Sequence, residues 1–218
     1  MISEFKQIEK LFKEIDASLR KKVKIFVIGG AVLLQQGLKP ATKDIDLVIE
    51  TKEEFMILKN ALNSINFTVK IPNIEYKNMN LNQIFIRDDF RIDLFQKEIC
   101  GRFSISNGMM ERAITFIDLE KIKLNFCSNE DIFLFKTMTE REGDLEDCIS
   151  LAKRGIKWEI ILNELKNQIK KSRQDVWITW VGERLDILEE KGVNIPIMKE
   201  INQLRERYFK EYEKEHDF

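Results

Sequence analysis

The chain has 218 residues, 44% hydrophobic and 33% charged, which is material for one large domain or two small ones with a real core. Its 36 basic and 37 acidic residues leave a net charge of -1, so no global field draws it to nucleic acid or anionic membrane. The three cysteines, Cys100, Cys127 and Cys148, are far apart and odd in number, which argues against a disulfide framework or a zinc knuckle.

In chain order, Phe5, Ile8, Phe12 and Ile15 mark an amphipathic first helix. Acids and helical periodicity at this end are unlike a signal peptide, and no apolar run approaches a membrane span, so a cytoplasmic chain with no membrane partner is expected. Residues 23–28 (VKIFVI) read as a buried strand, broken by Gly29-Gly30, and AVLLQQ as one or two helical turns ending near Gly37. Residues 44–50 (DIDLVIE) read as a second strand. Phe55, Leu58 and Leu62 follow at helical spacing, and Phe67–Ile71 as a short strand. Two strands, Gln83–Arg87 and Arg91–Phe95, meet at an Asp88-Asp89 turn. Ile114–Ile117 and Ile122–Phe126 suggest another hairpin. From Ser128 the character turns helical. One helix is expected to run to about Arg154 and stop at Gly155, with further helices at about 157–171, 174–190 and 196–214. The expected fold is α/β (α+β): a small mixed sheet over residues 1–127, then an all-helical half over 128–218.

Three features line up as a site. Gly29-Gly30, between a strand and a helix, lets backbone N–H groups come close to a phosphate. Asp44 and Asp46 flank Ile45 at the start of a strand, where alternation sends both carboxylates to one face. Like charges there repel unless a cation intervenes, and carboxylates with open positions for phosphate oxygens suit Mg²⁺ or Mn²⁺. Asp93 sits between apolar Ile92 and Leu94, a costly place unless it is paired or metal-bound. An ion pair with Arg91 or Lys97 is the simpler alternative. The single histidine, His216, lies in a charged tail and gives little support to a histidine base.

Ile28-Gly29-Gly30, a thirteen-residue gap, then Asp44-Ile45-Asp46-Leu47 resembles the signature of the DNA polymerase β-like nucleotidyltransferases, with Asp93 as their third acid. The resemblance covers roughly residues 23–97. It implies a metal-dependent transfer of a nucleoside monophosphate from a nucleoside triphosphate to an acceptor, with Asp44, Asp46 and Asp93 catalytic and metal-binding. Gly29 and Gly30 would bind phosphate, with Thr42 and Lys43 as support. Gly30 stands where many relatives have serine, and Ala41 where many have arginine.

The second half adds a weaker match. Lys136, then Arg141-Glu142-Gly143-Asp144-Leu145-Glu146-Asp147, resembles the helical motif of the AbiEii-type toxin nucleotidyltransferases. That likeness implies that Lys136 meets the triphosphate and that Arg141, Asp144 and Asp147 support the site. It also raises a toxin role with a cognate antitoxin. Lys136 and Asp147 are eleven residues apart, three helical turns, so one helix would place them on one face. The acceptor, whether tRNA or another RNA, protein or small molecule, is not legible. Two other classes compete: a non-catalytic nucleotide-binding or antitoxin-like protein on the same fold, and a nucleotide-sugar glycosyltransferase using the Asp44-Ile45-Asp46 run. Trp158, Trp177 and Trp180 are expected in core packing rather than in a base-stacking platform, and the basic stretch Lys166–Arg173 as a solvated helix end.

Overall fold

The computed structural model describes residues 1–72 and 80–215; His216 lies outside them. The chain divides into two compact units, Met1–Ser128 and Asn129–Phe218.

In the first unit the sheet is built from short apolar runs. Strands β1 (Val23–Ile28), β2 (Ile45–Ile49), β3 (Thr68–Lys70), β4 (Gln83–Arg87), β5 (Phe90–Gln96), β8 (Ile114–Asp118) and β9 (Ile122–Phe126) form one seven-stranded sheet, ordered β3-β4-β5-β2-β1-β9-β8. It is mixed: β1 runs antiparallel to β2 and parallel to β9, and β2 runs parallel to β5. The central strands are buried at nearly every position, as expected for strands covered on both faces. Helices α2 (Gly30–Gln35) and α3 (Lys52–Ser64) pack against β1 and β2, and α1 (Phe5–Ser18) packs on both helices. In α1, Ile8, Leu11, Phe12 and Ile15 are buried, the 3.6-residue stripe that its spacing predicts. Two polar ties hold the helical layer. Arg87 of β4 forks onto Glu14 of α1 at 2.7 Å per arm, which holds the Glu14 carboxyl below its usual range. Asp16 Oδ1 accepts from the Lys121 and Ile122 backbone N–H groups at 2.8 Å each, fixing the start of β9.

Three small elements were not foreseen: β6 (Glu98–Cys100), β7 (Phe103–Ser104) and α4 (Asn107–Arg112). The hairpin β6–β7 forms a separate two-stranded sheet that turns at Gly101, whose φ is +58°. Strands of two or three residues are too short to show a period.

The second unit is all helical: α5 (Asn129–Thr137), α6 (Glu142–Arg154), α7 (Trp158–Ser172), α8 (Trp177–Glu190) and α9 (Met198–Glu215). Here one expectation is corrected. The single helix over 128–154 is two helices, broken between Thr137 and Glu142. The Thr139 hydroxyl bonds Asp144 at 2.5 Å, and the Thr139 carbonyl takes Arg184 Nε at 2.6 Å instead of a helical N–H. A second correction concerns tryptophan. Trp177 is buried and Trp158 packs edge-on against Phe133, but Trp180 is 47% exposed and is not core.

Candidate active site

The sheet brings two of the acids together. In the parallel pair β2–β5, Asp46 is the register partner of Asp93, and in the antiparallel pair β1–β2 it is the partner of Ile28. Adjacent strands lie about 4.8 Å apart and in-register side chains share a face, so the two carboxylates are neighbours on one side of the sheet. Ile28 ends β1, and the chain passes at once to Gly29, which has φ +69° and ψ -146°. A Cβ at Gly29 would collide with Asp46 Oδ2. The backbone conformation favours glycine there, and a side chain would also push the carboxylate tip aside.

Gly30 is tight for a second reason. A Cβ on it would stand 2.5 Å from Thr42 Oγ1. Thr42 is buried, exchanges two backbone hydrogen bonds with Ile2, and its hydroxyl donates to the Asp44 carbonyl at 3.0 Å. Its contribution is therefore to fix the backbone that carries Asp44. Strand β2 begins at Ile45, so alternation alone does not place Asp44; that half-buried residue lies in the connection before the strand. Lys43 is exposed. Helix α2 has six residues, so few aligned peptide dipoles stand behind Gly29-Gly30, and the positive charge at that helix end is small.

Asp93 is 3% exposed and has a strong partner. Arg91, two residues earlier on the same face of β5, donates from Nε to Oδ1 and from Nη2 to Oδ2, both at 2.7 Å. This forked pair settles how a carboxylate is tolerated there. The ion pair with Arg91, rather than Lys97, is the one that forms.

Among the described residues no group of three histidine, cysteine or acidic side chains is arranged to hold a metal. The donor chemistry nonetheless fits a small hard cation. Mg²⁺ keeps several waters and is usually held by one or two carboxylates, with phosphate oxygens completing its shell. Asp46 and Asp93 could supply that protein share, with Asp44 close in sequence.

The helical motif of the second unit forms a cluster of its own. Lys136 Nζ lies 2.7 Å from Asp144 Oδ1 and 2.7 Å from Asp147 Oδ2, and all three side chains are buried. Arg141 Nε adds a contact to Asp144 Oδ2 at 2.8 Å. In one continuous helix, Lys136 and Asp144 would be about 12 Å apart along the axis, beyond reach of such contacts. The break after Thr137 folds α6 back on α5 and makes the pairing possible, so the shared-face argument is replaced by a helix-pair contact. Burial works against the Lys136 charge, but Asp144 and Asp147 outweigh it and hold the ammonium above its usual range. Burial likewise works against the Asp144 carboxylate, and Lys136 and Arg141 outweigh it to hold that group below its usual range. Burial pushes the neighbouring Cys148 thiol up to about 12. These residues are legible in the sequence, but their mutual pairing is not.

A family model described as "Nucleotidyltransferase of unknown function (DUF6036)" matches residues 3–179. The chain belongs to this nucleotidyltransferase family. No curated protein matches it. Among solved structures it is similar to the crystal structure of ANT(2")-Ia in complex with adenylyl-2"-tobramycin, at 12% identity and a TM-score of 0.49, covering 76% of this chain and 99% of that one. It is also similar to the solution structure of the antibiotic-resistance factor ANT(2'')-Ia, at 12% identity and a TM-score of 0.48, covering 86% and 96%. A crystal structure of an H. pylori protein named as a nucleotidyltransferase gives 16% identity and a TM-score of 0.41, covering 95% and 96%. Membership of the DUF6036 family, not these distant likenesses, bears on function. Among the described residues no helix is long and apolar enough to cross a membrane.

Proposed function

We propose that this chain transfers a nucleoside monophosphate from a nucleoside triphosphate to an acceptor hydroxyl, releasing pyrophosphate. The observation that carries the proposal is the in-register pair Asp46–Asp93 beside Gly29, within a chain of a nucleotidyltransferase family. The Arg91 ion pair accounts for Asp93 in its strand, but not for Asp46 set beside it and against a glycine.

In this reading Asp44, Asp46 and Asp93 hold divalent metal, Mg²⁺ or Mn²⁺. Such a cation, when bound, offsets the charge of the triphosphate and lowers the pKa of the acceptor hydroxyl. The chain's own groups do the rest. The backbone N–H groups around Gly29-Gly30 bind phosphate oxygens, and the bare Cα atoms permit the approach. Thr42 keeps Asp44 in place through its carbonyl. In the same reading Asp93 would also accept the acceptor's proton. Lys136 receives no phosphate role, because two carboxylates already engage its ammonium. The toxin and antitoxin readings rest on that same Lys136–Asp147 run, whose mutual pairing accounts for it without a ligand. The acceptor is left to experiment.

The test is turnover in the presence of Mg²⁺ or Mn²⁺, measured as pyrophosphate release, for the wild type and for Asp44→Asn and Asp46→Asn. Both variants should fold, since removing one of two like charges relieves repulsion, and both should lose metal-dependent turnover. Near-normal turnover in either would remove that residue from the site.

A further inference from the structure

We propose that Arg91 is a built-in counter-cation for the acid pair, which holds Asp93 until a metal–triphosphate complex arrives and then turns to the incoming phosphates. The inference rests on the transferase reading of the site and adds a residue to it.

Two observations carry it. Asp46 and Asp93 are register partners on adjacent strands, so their charges repel unless a positive group is near. Arg91 supplies that charge in the most complete form a side chain can, with both nitrogens of one edge on both oxygens of Asp93 at 2.7 Å. Both Asp93 oxygens are thereby engaged by the guanidinium, and a cation that needs Asp93 must compete with it. Bare Mg²⁺ or Mn²⁺, which sheds water reluctantly, competes poorly. A metal already bearing a triphosphate competes better, because the phosphates offer the displaced guanidinium a new anionic partner of matching geometry. The Arg91 side chain is 26% exposed, so it has a way out toward solvent. The consequence is an order of binding: metal enters with nucleotide rather than before it. Arg91 is thus a positioning residue that acts through Asp93 and then through the phosphates.

The experiment compares Arg91→Gln and Arg91→Lys with the wild type. The affinity for Mn²⁺ alone is read from the electron paramagnetic resonance signal of the free ion. Affinity for each of ATP, GTP, CTP and UTP in the presence of Mn²⁺ is read by equilibrium dialysis, and folding by thermal melting. Arg91→Gln should bind Mn²⁺ alone about tenfold more tightly than the wild type, the size expected for removing one charge-assisted competitor. It should bind its preferred triphosphate more weakly, and Arg91→Lys should fall between the two. The gain in metal affinity reads the competition for Asp93, and the accompanying loss of triphosphate affinity reads the turn to the phosphates, which a merely structural arginine would not produce. Unchanged or tighter triphosphate binding in folded Arg91→Gln overturns that second step. Unchanged or weaker Mn²⁺ binding in folded Arg91→Gln overturns the inference, whatever happens to nucleotide. Failure of the wild type to take any of the four triphosphates overturns instead the transferase reading on which it rests.

Discussion

Gly29 stands so close to Asp46 that a methyl group added to it would meet the tip of the carboxylate, which would have to swing aside. The glycine ends β1, the aspartate lies on β2, and its register partner is Ile28, the last residue before the glycine. With φ at +69° and ψ at -146°, position 29 is also in a region that side-chain-bearing residues avoid.

Gly29→Ala should therefore fail twice. Backbone strain should cost on the order of 1–3 kcal/mol of stability. The Asp46 carboxylate must also move away from the new methyl, so metal-dependent triphosphate binding should fall by more than the melting temperature alone would explain. Thermal melting with triphosphate dialysis measures both. Normal nucleotide binding in a stable Gly29→Ala protein would show that the glycine–aspartate contact is not part of the site.

Lys136 carries a different expectation. Lys136→Met leaves Asp144 and Asp147 buried with no ammonium between them, at a cost of about 3–5 kcal/mol. Replacing all three with Lys136→Met, Asp144→Leu and Asp147→Leu should recover much of that loss, because an apolar replacement of a whole buried ion cluster is often tolerated. Urea unfolding of the full chain reads both variants. A loss below about 1 kcal/mol in the single variant would mark Lys136 as an ordinary surface residue, contrary to its burial.

The same cluster sets a pH dependence. Asp144 titrates below its usual value in the folded chain, so its stabilisation is fully present above about pH 3.9 and is lost as pH falls through the lowered value. Lys136 titrates above its usual value, so its contribution is fully present below about pH 10.4 and is lost as pH rises through the raised value. Between these limits the cluster contributes no slope. Urea midpoints across the pH range should lie close together for the wild type and the triple variant in that plateau, and the wild type alone should lose stability beyond either limit. A wild type that keeps pace with the triple variant beyond both limits would contradict the pairing.

Much of the fold was legible because its elements are long enough to show a period. The apolar stripe of α1 and the run VKIFVI of β1 each follow from one property of the chain, its burial pattern, whereas β5 is buried at four consecutive positions, Ile92–Phe95, with Asp93 among them. The glycine pair and the Asp44-Ile45-Asp46 run were legible as chemistry, but their juxtaposition was not, since it depends on which strands become neighbours. Nothing local in Phe90–Gln96 says that β5 lies beside β2 in a register that pairs Asp93 with Asp46. The helix break at Thr139 was hidden for a similar reason. It is held by Asp144 and by Arg184, which lies 45 residues further along the chain, and without those partners the segment reads as one helix. Asp16, spaced like any exposed helical acid, gave no sign that it would hold the backbone at Lys121.

The central claim is that the bond broken lies next to the α-phosphate. The most direct measurement incubates the protein with Mg²⁺ or Mn²⁺ and a fractionated lysate, in parallel with α-labelled and γ-labelled forms of each of the four nucleoside triphosphates. Nucleotidyl transfer predicts that one α-labelled triphosphate marks an acceptor fraction, that its γ-labelled form marks none and releases labelled pyrophosphate, and that Asp46→Asn abolishes both signals. Transfer of the γ-label, or α-label incorporation that survives Asp46→Asn, would contradict the account.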